Sequence, residues 1–342
     1  MEAILLDTNA LTRIFGLTVL SFVTSMLITP AFTTFLYKNR LGKKIRQTDF
    51  NEKAAPIFYK LHKHKTNTPT MGGLLIWGVA AVLTIIFNLS RQATWLPLFV
   101  LVMSGVIGAI DDLYNINGIG PNNGGLRFRH KLLIYLVIAV IGALYFAFKL
   151  EWIYRGIHIP GVGDIALGYW YVPLFITVLI GTSFAVNQTD GLDGLAGGLL
   201  VMAFMAMGGI AFFQGQFGLS AFAGTLVGAI LAFLWFNVHP ARFFMGDTGS
   251  MALGMTLAVI AFLTNTVFIL PIIGFVFVIE ALSTIIQIFS KKFLKKKVFL
   301  SAPIHHHLEA IGWTETRIVE RAWIIGAVLA VFGLVLALVG RG

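Results

Sequence analysis

Ten long apolar stretches, at about 14–36, 71–89, 95–110, 132–148, 170–186, 196–213, 218–236, 251–264, 267–289 and 322–340, constrain this chain more than any other feature. A helix needs roughly 20 predominantly apolar residues to cross the hydrocarbon of a bilayer, and most of these runs approach that length. They carry no period-2 alternation, which argues against a transmembrane β-barrel. The eighth run is short and reads as a tilted helix or one merged with its neighbour. Only 12% of the 342 residues are charged and 57% are hydrophobic, whereas a soluble domain is about a quarter charged. The expected fold is an all-α integral membrane protein: a bundle of about ten transmembrane helices forming a single polytopic domain over 1–342. A cleavable signal peptide is not expected, because the first run is long, follows Glu2 and Asp7, and lacks a basic leader.

The basic residues orient the bundle. Counting loops alternately puts 37–70, 111–131, 187–195, 237–250 and 290–321 on one side. These segments hold 20 of the 25 Lys and Arg residues, leaving Arg13, Arg91, Lys149, Arg155 and Arg341 opposite. The positive-inside rule assigns the basic side to the cytoplasm and both termini to the extracytoplasmic side. The net charge of +10 therefore reads as topology and contact with anionic membrane lipid, and no nucleic-acid partner is expected. Lys295, Lys296 and Lys297, flanked by Phe293, Leu294, Val298 and Phe299, fit an interfacial helix. Cysteine is absent, which excludes disulfides, thiolate metal sites and a cysteine nucleophile. No long repeat or linker is present, and Asn115–Gly125 reads as a flexible cytoplasmic loop.

The unusual polar clusters also fall on the basic side, so an active-site cleft open to the cytoplasm is expected. Asp111-Asp112 closes the third run. Adjacent carboxylates at a helix end can be simple boundary solvation. Charged groups at membrane depth, however, usually face a polar cavity, and two neighbouring carboxylates invite a cation. Magnesium is commonly held by one or two carboxylates together with substrate phosphates. Asn187-Gln-Thr-Asp190-Gly-Leu-Asp193-Gly follows the fifth run. The i, i+3 spacing would put both carboxylates on one helical face, although Thr189 or Asp190 could equally cap the next helix. In Asn237-Val-His-Pro-Ala-Arg-Phe-Phe244-Met-Gly-Asp247-Thr-Gly-Ser250, a small-residue turn surrounds one carboxylate at a helix entrance. This suits phosphate or metal, or a helix cap by Asp247 or Thr248. Phe244 could stack on a base or anchor at the interface.

In Pro303-Ile-His305-His306-His307-Leu-Glu309 the histidines are consecutive, whereas convergent zinc ligands usually have wider spacing. Phosphate binding or proton handling fits them better, with a solvated His-rich loop as the plain alternative.

Together these clusters resemble the polyprenyl-phosphate N-acetylhexosamine-1-phosphate transferases. The matches run in that family's order, from Lys65-Thr-Asn-Thr-Pro-Thr-Met-Gly-Gly73 through Asp111-Asp112, 187–196 and 237–250 to 303–309. Thr-Pro-Thr-Met-Gly-Gly and Pro-x-His-His-His-x-Glu are similar to the branch that uses a muramoyl-pentapeptide donor. The resemblance implies a Mg2+-dependent enzyme of the bacterial inner membrane. It would transfer the phospho-sugar of UDP-N-acetylmuramoyl-pentapeptide to undecaprenyl phosphate and release UMP. It further implies Asp247 as principal metal ligand, with Asp111 and Asp112 beside it. Asn237 and Phe244 would hold the uridine, and Lys65, Lys131, Asn187, Asp190 and Asp193 would line the nucleotide pocket. His305, His306 and His307 would contact the diphosphate or sugar. The sequence departs from the family at Asn115, where a lysine is usual, and at Asn67, where a glycine is usual. Two other readings are the same chemistry on another UDP-N-acetylhexosamine, and a lipid or ion transporter using buried carboxylates. Oligomeric state stays open, a homodimer being the assembly considered.

Overall fold

The computed structural model describes residues 8–42, 65–90, 93–120, 125–152 and 156–340. All ten apolar stretches fall on helix. We number these helices α1 Thr8–Lys38, α2 Gly73–Phe87, α3 Trp95–Ile116, α4 Phe128–Leu144, α5 Tyr171–Thr189, α6 Leu195–Phe213, α7 Phe217–Asn237, α8 Asp247–Leu263, α9 Leu270–Ile273, α10 Phe275–Phe289, α11 Ile304–Ala310 and α12 Glu315–Val339. Among the described residues, seven helical stretches have the length and apolarity to cross a membrane, and α2 and α8 are apolar but shorter. The 267–289 run departs from the expected single span, because α9 ends at Gly274 and α10 starts at once after it. Pro271 lies in the first turn of α9, where its missing N–H costs no intrahelical bond.

The core is built around α8. From Thr248 to Leu263 every residue except Met251 is buried, as expected of a helix that is apolar all round and enclosed by others. It packs chiefly on α3 and α5, while α7 packs on α1 and α6, and α6 on α12. The outer helices turn large apolar side chains outward, among them Leu27, Phe289, Val328 and Phe332, the surface a hydrocarbon environment requires. The C-terminal ends of α3, α5 and α7 meet the N-terminal ends of α6, α8 and α12 at one end of the bundle, through contacts such as Asp112–Thr248, Asn187–Asp247, Asn237–Gly194 and Glu315–Asp193. The other end carries a short antiparallel hairpin, β1 Ile157–Ile159 with β2 Gly163–Ile165. The segment 43–64, the loop centre 121–124 and Glu2, Asp7, Arg91, Arg155 and Arg341 of the topology reading lie outside the described residues.

Candidate active site

The start of α8 organises the site. Gly246 just before it has φ +75°, a conformation open to glycine at little cost, and a Cβ there would run into Asp112 Oδ2. Asp112, in the last turns of α3, accepts the N–H of Asp247 at 3.3 Å and that of Thr248 at 3.1 Å. A helix start has N–H groups without intrahelical partners, and here a neighbouring helix supplies the acceptor. The Asp247 side chain points elsewhere. Its Oδ1 accepts from Asn187 Nδ2 at 2.9 Å, and its Oδ2 lies 2.5 Å from Lys131 Nζ. The same ammonium is 2.5 Å from Asp111 Oδ2, while Asp111 Oδ1 accepts the N–H of Leu126 at 2.7 Å. Side chains from α3, α4, α5 and α8 thus converge. Three carboxylates against one ammonium leave a formal charge of −2, matching a divalent cation in a hard-oxygen setting.

A second cluster lies where α6 and α12 begin. Asp193 Oδ1 pairs with Lys65 Nζ at 2.7 Å, and its Oδ2 faces His239 Nδ1 at 3.0 Å and the N–H of Ala241 at 3.1 Å. Glu315 Oε1 is 2.5 Å from Lys65 Nζ and accepts the N–H of Asp193 at 2.6 Å. Oxygen and nitrogen atoms of Asp193, His239 and Glu315 lie within 4.8 Å of one another, a grouping able to hold a cation, and Lys65 already bridges its two carboxylates. Asp190 links the two clusters by accepting the N–H of Gly246 at 3.2 Å.

The 65–73 segment folds against the loop before α8 through backbone hydrogen bonds. Phe244 N–H donates to Pro69 O, and the N–H groups of Gly72 and Gly73 donate to Phe244 O and Met245 O. Asn67, at the family's glycine position, has φ +72°, and asparagine is among the side chains that best tolerate this region. The departure therefore preserves the turn. Phe244 is half-buried with its ring centroid 6.0 Å from Lys65 Nζ. Asn237 is buried, accepting the N–H of Gly194 at 3.0 Å and donating to Phe243 O at 2.9 Å. It ties the 190–194 turn to the loop carrying Phe244.

The three histidines have different hydrogen-bond partners, although the His305 and His306 rings touch with centroids 4.0 Å apart. His305 is fully buried, its Nδ1 2.8 Å from Glu280 Oε2 in α10. Burial lowers an imidazole's proton affinity, but the Glu280 carboxylate outweighs it and holds His305 above its ordinary pKa. Its Nε2 has no hydrogen-bond partner among the described residues and packs on Gly191, where a Cβ would run into it. His306 Nδ1 pairs with Glu309 Oε2 at 2.7 Å, and His307 Nδ1 accepts the N–H of Leu300 at 3.3 Å.

The side chains take up distinct contacts. Lys131 sits between Asp111 and Asp247. The oxygens of Asp112 face backbone N–H groups, and the amide of Asn237 serves the turn and loop. Glu315 was not singled out by the sequence, since a carboxylate in a helix's first turn is ordinary; only its spatial meeting with Lys65 distinguishes it. Glu280 lies deep in the 267–289 apolar run, and only the fold supplies its partner His305. A cavity of about 290 Å3 at the hairpin end, lined by Trp152, Asp164, Gln214 and Asn265 among others, includes none of the motif residues.

Known proteins similar to this chain match it along nearly its whole length. The profile described as glycosyl transferase family 4 matches residues 94–265. A signature described as phospho-N-acetylmuramoyl-pentapeptide-transferase signature 1 matches residues 65–76. The chain is 43% identical over 321 residues to the phospho-N-acetylmuramoyl-pentapeptide-transferase of Geobacillus sp. (strain WCH70), covering 92% of this chain and 95% of that one. It is 40% identical over 351 residues to the protein of that name from Chloroflexus aurantiacus, covering 99% and 93%. The Bacillus licheniformis protein of that name is 40% identical over 321 residues, covering 92% and 95%.

Proposed function

Because this chain belongs to the phospho-N-acetylmuramoyl-pentapeptide-transferase family, we propose that it moves phospho-N-acetylmuramoyl-pentapeptide from UDP to undecaprenyl phosphate in the bacterial cytoplasmic membrane. The observation that carries the mechanistic reading is the meeting of Asp111 and Asp247 at Lys131, with Asn187 holding Asp247 from the other side. In the reaction, an oxygen of the lipid phosphate bonds to the sugar-bearing phosphorus of the donor. The bond from that phosphorus to the bridging oxygen breaks, and UMP leaves with the electron pair. Phosphoryl transfer of this kind depends mainly on positioning and charge neutralisation.

Asp111 and Asp247 are the side chains suited to hold Mg2+, and their hard oxygens with the local −2 charge fit it. When bound, Mg2+ would neutralise charge on the diphosphate and polarise its oxygens. Asp112 holds the α8 start so that Asp247 faces the reaction, and Lys131 keeps the carboxylates apart and offsets their repulsion. Phe244 offers a face for the uracil, with Lys65 beside it. The turn carrying Asp190 and Asp193, tied down by Asn237, forms the pocket wall. His305 presses on that turn from behind, while His306 and His307 flank the sugar side. We place the cleft toward the cytoplasm and both termini outside, on the strength of the Lys and Arg distribution.

The test is UMP release by detergent-solubilised protein given UDP-N-acetylmuramoyl-pentapeptide and undecaprenyl phosphate, with and without Mg2+. Mg2+-dependent release with this donor is expected. Release only from UDP-N-acetylglucosamine would move the protein to a different donor class, and no release from folded protein would overturn the proposal.

A further inference from the structure

Glu315 opens α12, where the Thr314 hydroxyl caps the helix by accepting the N–H of Arg317. The cap is thus already provided, and the Glu315 carboxylate reaches outside its own helix. Its Oε1 is 2.5 Å from Lys65 Nζ and 2.6 Å from the N–H of Asp193, and its Oε2 lies 3.4 Å from His239 Nδ1. These partners belong to three separate segments: the stretch before α2, the turn before α6 and the loop after α7. The side chain of Glu315 is only 11% exposed and that of Lys65 only 9%, so water competes little for either charge.

We propose that Glu315 is a positioning residue for the nucleotide donor, acting through Lys65 and the Asp193 turn without touching the reacting atoms. A lysine is a compact charge on a flexible stem. Fixed by Asp193 alone, its ammonium could swing about one contact. Held by two carboxylates, it is kept beside the Phe244 ring. By accepting the N–H of Asp193, the same Glu315 oxygen also fixes the turn that carries the other carboxylate. Ordering a binding group in advance reduces what the ligand must supply on binding. The charge of Glu315 should therefore govern donor affinity and leave the transfer step nearly untouched.

This inference rests on the proposed function for its substrate, so the test reads binding and turnover separately. Glu315→Gln keeps the size and an acceptor oxygen for the N–H of Asp193 but removes the charge facing Lys65. The donor KM should rise roughly tenfold, the size of one charge-assisted hydrogen bond. The kcat and the acceptor KM should stay within about twofold, well below that loss. The Kd of UMP, measured by calorimetry on the same detergent-solubilised protein, should weaken by a similar roughly tenfold factor. Glu315→Ala should be worse on both readouts, and its thermal midpoint shows whether the fold is intact. Unchanged donor KM and UMP Kd in Glu315→Gln would overturn the inference. So would a fall in kcat that tracks a lowered thermal midpoint, which marks a structural role. A wild type that binds UMP but releases none from the muramoyl donor would sink the proposed function, while the UMP comparison would still decide the role of Glu315.

Discussion

Lys131 and Lys65 each lie between two carboxylates, Asp111 and Asp247 for the first, Asp193 and Glu315 for the second. Their surroundings differ in openness and in charge. The Lys131 and Asp247 side chains are 22% and 18% exposed, whereas Lys65 and Asp193 are 9% and 4% exposed. With Asp112 close by, the first cluster carries one more negative charge than the second, where two carboxylates face one ammonium before His239 is counted. Backbone N–H groups bind carboxylates in both clusters, those of Leu126, Asp247 and Thr248 in the first and those of Asp193 and Ala241 in the second. The first arrangement can take up further positive charge and stays accessible. The second carries a smaller negative charge, and its lysine and Asp193 are more deeply buried. On the proposed function, the first lysine site would suit exchange with a cation and the second would hold the donor pocket in shape.

Asp247→Asn puts this contrast under its heaviest load. It should lower turnover by on the order of 10³-fold, the scale of losing a principal electrostatic stabiliser, with little change in thermal midpoint. Near wild-type UMP release from that variant would remove the distinction between the two clusters. Asp112→Asn sharpens it. If Asp112 serves chiefly to hold the α8 start, Asn, which caps helices about as well as Asp, should cost only about 10–100-fold in activity, as groups supporting a metal site do. A loss equal to that of Asp247→Asn would make Asp112 a ligand in its own right. Phe244→Ala tests the Lys65 side. The donor KM should rise roughly tenfold, within the about 1–3 kcal/mol that base stacking supplies, while kcat changes little. An unchanged KM would mean that Phe244 does not face the base.

How much of this was legible in the chain follows from what each signal depends on. The apolar runs announced helices at nearly every boundary because local hydrophobicity alone decides them. The break at Gly274 was harder to see, since Pro271 sits inside an otherwise continuous run. Asp111, Asp190 and Asp247 stood out because carboxylates at the ends of apolar runs are costly. Their division of labour was not legible. Asp112 and Asp111 are neighbours in sequence, yet one binds the α8 main chain and the other Lys131, a difference set by the rotation of α3 against α8. The Lys65–Glu315 pair spans 250 positions, and no local pattern marks it. In the fold, the space at Gly191 is taken by His305 and that at Gly246 by Asp112.

The smallest expected effect concerns a third charged pair, buried more deeply than either lysine cluster. His305 is fully buried with Glu280 at 2.8 Å, and burial, which disfavours its charge, is overcome by that carboxylate, so its pKa lies above the ordinary value. A group whose pKa is raised on folding contributes stability that is fully present below its unfolded pKa. For histidine that is about 6.5, and the contribution is lost as pH rises through the higher folded value. The thermal midpoint of the wild type should therefore fall between about pH 6 and about pH 9 by more than that of Glu280→Gln, which lacks the charge that favours protonation. Both variants would be scanned in the same detergent and salt. The gap between the two curves should be widest at the acidic end and close toward the alkaline end. A gap that stays constant would assign Glu280 to neutral hydrogen bonding. A gap that widens with pH would reverse the sign and place the proton elsewhere. The outcome bears on the lysine comparison, because a buried charge pair with no exchangeable cation and no exposed edge should act on stability alone.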